Sequence, residues 1–236
     1  MSKVLDASKV DAALQRAATA GVSGELAERA GKFDLEHRYI AALGEREGEI
    51  VVTLICDYLE LRDVWQVYSE LFEGDNKTVD LLNWCANETF GIVQEELQKI
   101  LIVRIYRFFD KPSNALSFER LSDVKNKYPL VRKHIDEAKQ AVTGKFANWR
   151  HEQVAHRTLS VALQKGPPKA QAINGGDMRF AIEKIGTALS SIHNSFSPGI
   201  ELAWPQSRGM TAGLRRVLHV AHENEIRHKR DLGLGP

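Results

Sequence analysis

The stretch EIVVTLICDYLELRDVWQVYSELFE, residues 49–73, decides the fold class. Ile50, Leu54, Tyr58, Leu61, Trp65, Tyr68 and Phe72 recur in it at three- and four-residue spacing. That period puts them on one stripe of an α-helix, whereas a strand would alternate. The β-branched cluster from Ile50 to Ile55 runs straight into this pattern and so does not read as a strand. EGDN, residues 73–76, is a turn, and Thr78 is the expected N-cap of a second long helix. That helix carries Leu81, Leu82, Cys85, Phe90, Val93, Leu97, Leu101 and Ile105. Two long helices joined by so short a turn pack antiparallel.

Working outward, nearly every other segment is also helical. Residues 3–20 are alanine-rich, and Gly21 and Gly24 end them. KPSN, residues 111–114, closes the hairpin, because proline cannot continue a helix. Ser117 is placed to cap a short helix over 118–126, which Pro129 stops. A helix from about 130 to 150 turns Val131, Ile135, Ala138, Val142 and Phe146 inward. KGPPK, residues 165–169, is a break. The segment 177–196 is helical with Phe180, Ile185, Leu189 and Ile192 inward, after a turn at INGGD, residues 173–177. The last helix covers 210–228. The expectation is all-α: one helical bundle with peripheral N- and C-terminal helices, a single domain whose core runs from about 45 to 170, with 1–45 and 170–236 around it.

The chain has 236 residues and 43% apolar side chains, enough for a core without disulfide or metal staples. Its two cysteines, Cys56 and Cys85, have no zinc-like spacing. MSKVLDASKVDAAL at the N-terminus lacks the apolar run of a signal peptide or anchor, and no run approaches the roughly 20 residues that span a bilayer. A reduced cytoplasm is expected, with no membrane partner. Charge is lopsided: residues 1–100 hold 10 basic and 19 acidic side chains, residues 101–236 hold 22 and 12. Such asymmetry fits a polyanionic partner of the C-terminal half, or two mutually attracting faces.

Chemistry concentrates in NWRHEQVAHRT, residues 148–158. Arginine is a permanent planar cation that clamps phosphate with two hydrogen bonds, and histidine exchanges a proton near neutrality. Together they suit RNA cleavage by its own 2′-hydroxyl, with no metal or other cofactor. Residues six apart lie about 120° apart around a helix and roughly 9 Å apart along it. Arg150 and His156 therefore meet only at a kink, a helix end, or across two copies. Glu152, four residues before His156, either orients its imidazole or forms a surface ion pair. Trp149 either packs inward or stacks a base.

The run from Arg150 through His151 to His156, with five residues between the outer two, resembles the HEPN superfamily signature. VAHR and the upstream LIVRIYRFFDKPSNALSFERL, residues 101–121, resemble its abortive-infection U-type branch, with Arg107, Asp110, Ser117 and Leu121 in corresponding places. The resemblance implies an antiparallel HEPN bundle and a metal-independent endoribonuclease of toxin or phage-defence type. It makes Arg150 and His156 the catalytic pair, with His151 as the polar residue beside the arginine. Dimerisation would bring two motifs to one cleft. RNA, a second copy, and an antitoxin or other partner protein are the implied partners. The alternative is a non-catalytic HEPN module that binds a nucleotide or a protein.

Other residues carry two readings. Arg104, Arg107 and Asp110 either line the same cleft, with Asp110 holding Arg150, or form an ion-paired stripe. Arg157 with Arg107 would then contact RNA. Lys125, Lys127, Arg132 and Lys133 are a phosphate-binding patch or a solvated face. His219 and His222 share a helix face, but the glutamate falls outside the pair, so a polar helix end is expected rather than a metal site.

Overall fold

The computed structural model describes residues 36–74, 76–112, 114–150, 172–197 and 211–232, and these contain helices and no strand. Segments 3–20 and 165–169 lie outside them. The chain divides into two compact units, Met1–Leu54 and Ile55–Pro236.

In the first unit, helix α1 (36–43) leads through Gly44 into α2 (Glu45–Phe72). The Gly44 amide donates to the Ile40 carbonyl at 2.9 Å. A Cβ on Gly48 would stand 2.6 Å from the Ile40 backbone, so glycine there lets the two helices meet. Tyr39, Val51, Val52 and Leu54 are buried, and burial pushes the Tyr39 phenol up.

In the second unit, Tyr58, Leu61 and Tyr68 of α2 are buried as their spacing requires. Helix α3 (Asn76–Arg107) runs antiparallel to α2. Arg104 meets Glu60 at 2.7 Å and Arg107 meets Asp57 at 3.5 Å, so the paired positions step in opposite directions. A one-turn 3₁₀ helix (Phe118–Arg120) then precedes α4 (Ser122–Lys127), α5 (Pro129–Val142), α6 (Lys145–Trp149), α7 (Gly175–Phe196) and α8 (Ala212–Asp231). The main packing surface is α5 on α7. Val131, Ile135, Ala138 and Val142 are buried on α5, and Met178, Ile182, Ile185, Leu189 and Ile192 on α7. Each large aliphatic chain so buried contributes about 1.5–3 kcal/mol. The Tyr58 hydroxyl occupies the space that a Cβ on Gly186 would need, which brings α2 close to α7. An Asn174–Asp177 capping box starts α7, as the INGGD turn requires. Leu218 of α8 packs with Leu71 and Leu82.

Several expectations are corrected. Helix α3 starts at Asn76, so Thr78 is a buried first-turn residue and not the N-cap. The helix also breaks at Ala86 (φ −163°, ψ 68°). The break lets Leu82, before it, and Phe90, after it, meet one apolar cluster, and Cys85 is left exposed. The short helix expected over 118–126 is a 3₁₀ turn followed by α4, which does end before Pro129; Pro129 then opens α5, because its fixed φ and missing N–H suit a first helical position. The helix expected over 130–150 is two, parted at Gly144, whose φ of 107° is closed to most side chains. Phe180 is 52% exposed, since two residues past buried Met178 it falls off the inner stripe. Ser117 makes no side-chain cap, for its hydroxyl is engaged elsewhere.

Candidate active site

The segment between α3 and α4 is a tied turn. Phe108, Phe109 and Phe118 are buried together, with ring centroids 5.7 and 5.5 Å from Phe118. The Phe118 amide donates to the Phe108 carbonyl at 3.0 Å. Buried Ser117 donates its hydroxyl to the Asp110 carbonyl at 2.7 Å. The Arg120 side chain donates to the carbonyls of Pro112 and, at 3.3 Å, Ala115. These bonds go to backbone oxygens, so the Asp110 backbone is fixed while its carboxylate projects away.

Arg150 meets that carboxylate. Buried Phe146 anchors α6, and the Arg150 amide closes the helix on the carbonyls of Ala147 and Phe146. Arg150 Nη1 lies 3.7 Å from Asp110 Oδ1. Its guanidinium carbon stands 4.8 Å from the centroid of the Tyr106 ring, one helical turn before Asp110. The Arg150 side chain is 36% exposed and that of Asp110 19%. The pair is too long for a hydrogen bond, and the guanidinium makes none to any described residue. Asp110 and Tyr106 thus orient the guanidinium without taking any of its N–H donors.

Arg107 is paired elsewhere, with Asp57 on α2. Burial pushes the Asp57 carboxyl up, and the positive charge of Arg107 only partly offsets this. Trp149 is half-buried beside Arg150. His151, Glu152, His156 and Arg157 lie outside the described residues. So Arg150, Asp110 and Tyr106 come together, whereas Arg104 and Arg107 form ion pairs along α2. Sequence reasoning passed over Tyr106; its only signal was the four-residue step to Asp110.

Arg132 is exposed, and the other remaining candidates have local partners. Lys125 faces Glu119 at 3.5 Å, Lys133 faces Glu137 at 4.0 Å, and Lys127 lies over the Tyr128 ring. His219 Nε2 meets Glu223 at 3.1 Å, and the His222 ring lies edge-on to Trp84. Among the described residues no three His, Cys, Asp or Glu side chains are grouped to hold a metal ion, and no described helix is long and apolar enough to cross a membrane.

The family model HEPN AbiU2 matches residues 49–205. The chain belongs to the HEPN AbiU2 family. The AbiU2 match takes in Tyr106, Asp110 and the whole Arg150–His156 stretch, and it ends before α8. No curated protein and no solved structure matches this AbiU2 chain.

Proposed function

We propose that this AbiU2 chain is a metal-independent endoribonuclease of phage-defence type, acting on single-stranded or looped RNA in the cytoplasm. The observation that carries the reading is Arg150: a permanent cation, 36% exposed, oriented by two neighbours that take none of its hydrogen-bond donors.

In the proposed reaction His156 takes the proton of the RNA 2′-hydroxyl. The oxygen attacks the adjacent phosphorus, and Arg150 stabilises the negative charge that develops on the phosphorane oxygens. The 5′-oxygen then leaves and takes a proton from His151 or water. The products are a 2′,3′-cyclic phosphate and a 5′-hydroxyl, so DNA, lacking the attacking hydroxyl, is not cut. Glu152 orients His156, while Trp149, Arg157 and Arg107 contact the RNA. HEPN domains commonly dimerise, and a second copy would bring two motifs to one cleft. An antitoxin or other partner protein would act by covering that cleft.

The test is wild type beside His156→Ala and Arg150→Ala, incubated with total RNA in EDTA, with end chemistry read at the cuts. Cleavage by wild type alone, leaving cyclic phosphates, is the expected result. Undiminished cleavage by either variant would sink the mechanism. Absence of cleavage by all three at high protein concentration would favour the non-catalytic binding module instead.

A further inference from the structure

We propose that Tyr106 is a positioning residue for Arg150, a ring platform that fixes the guanidinium without using any of its N–H donors. The proposal rests on the ribonuclease reading above and adds a residue to it.

The chemistry of a phosphate-binding arginine poses a conflict. The side chain must be held still, or ordering it weakens each encounter with the transition state. Yet the usual way to hold arginine is a carboxylate in bidentate contact, which takes up the donors the phosphate needs. The structure resolves the conflict with two contacts that take no donor. Asp110 stands 3.7 Å from Nη1, near enough to attract the charge but beyond hydrogen-bonding distance. The face of Tyr106 lies 4.8 Å from the guanidinium carbon, within the range over which a ring quadrupole attracts a cation. That attraction acts through the guanidinium face and leaves its edge open.

Tyr106 is itself held by its backbone. It lies in the last turn of α3, and its carbonyl accepts the Phe109 amide at 2.9 Å. Helix α3 also packs on α6, which carries Arg150. The backbone that carries the ring is therefore fixed, and the ring presents its face to Arg150. Because ring and cation belong to one chain, each active site would carry its own platform whether or not a second copy completes the cleft.

The contact uses the ring and not the phenol oxygen, which separates two substitutions. Tyr106→Phe keeps the platform, and Tyr106→Leu keeps apolar bulk but removes the quadrupole. The test uses the full chain and a mixed-sequence single-stranded oligoribonucleotide bearing a fluorophore and a quencher, in EDTA. Tyr106→Leu is expected to lower kcat about tenfold with KM little changed, and Tyr106→Phe to stay near wild type. If Arg150→Ala abolishes cleavage while Tyr106→Leu cleaves like wild type, the positioning role is overturned and the ribonuclease stands. If Arg150→Ala cleaves like wild type, the ribonuclease mechanism itself falls.

A second measurement needs no turnover. With isotope-labelled arginine, the Arg150 δ-protons, assigned by their loss in Arg150→Ala, should show an upfield ring-current shift. That shift should survive Tyr106→Phe and vanish in Tyr106→Leu. An unchanged shift in Tyr106→Leu would overturn the proposal even for a chain that cuts none of the probe.

Discussion

Asp110 does two jobs with two different groups. Its carbonyl accepts the Ser117 hydroxyl and fixes the turn, while its carboxylate faces Arg150. Substitutions can therefore separate shape from charge. Asp110→Asn should leave the thermal midpoint nearly unchanged, since a partly exposed ion pair contributes about 0–1 kcal/mol. The same variant should slow RNA cleavage, because the arginine loses the charge that orients it. Ser117→Ala should do the reverse: it removes a part-buried hydrogen bond that ties the turn and costs about 1 kcal/mol in urea unfolding. An Asp110→Asn variant that unfolds as easily as Ser117→Ala would show that the carboxylate is a structural strut. Arg150 was legible in the sequence because its chemistry is written in a local motif. Tyr106 was not, since a tyrosine on an amphipathic helix reads as one more packing residue. Its partner lies 44 positions on, and nothing linear marks a ring under a cation.

The helix ends show which breaks a sequence announces. The α2–α3 turn and the turn before α7 were legible because Gly, Asp and Asn state their backbone requirements openly. The break at Ala86 was not, for alanine is the best helix former and only packing on both sides of it explains the bend. Gly144 stood in plain view inside an unbroken apolar stripe, and the stripe hid it. Gly144 and Gly186 are glycines for opposite reasons. Around Gly144 a Cβ would meet nothing within 4 Å, but φ is 107°; at Gly186 the Tyr58 ring fills the space instead. Gly144→Ala should therefore cost about 1–3 kcal/mol through backbone strain and turn α6, with Arg150, away from Asp110, so that cleavage falls as well. Gly186→Ala should cost about 1–3 kcal/mol through overpacking while the surviving folded protein keeps its activity. Urea midpoints beside cleavage rates distinguish the two, and equal loss of activity in both variants would contradict the separation.

For the molecule as a whole, periodicity and the HEPN motif gave the all-α class and the family, since both live in residues that repeat or cluster locally. How far α8 depends on the rest was not visible, because its attachment joins residues 141 positions apart. Glu70 of α2 accepts both the Thr211 hydroxyl and, at 3.1 Å, the Thr211 amide, and so supplies the N-terminal cap that α8 does not make for itself. Burial raises the Glu70 carboxyl, but the bonds from Thr211 and Gln66 outweigh it and hold the group below its usual range. A carboxylate depressed in the folded state contributes its full stabilisation above the ordinary value, roughly pH 4, and loses it as pH falls through the folded value. Docking of α8 should weaken on that acid side. Glu70→Gln should remove the acid dependence and leave α8 loosened at neutral pH as well.

Among the described residues, one carboxylate, a small cluster around Leu218 and the contact of His222 with Trp84 thus anchor a twenty-residue helix. Such a helix should open as a cooperative unit of its own, well before global unfolding. In deuterated buffer its amides should exchange as one block, ahead of those of α5 and α7. In Glu70→Gln that block alone should accelerate, about fivefold, leaving the protection of the deeper helices untouched.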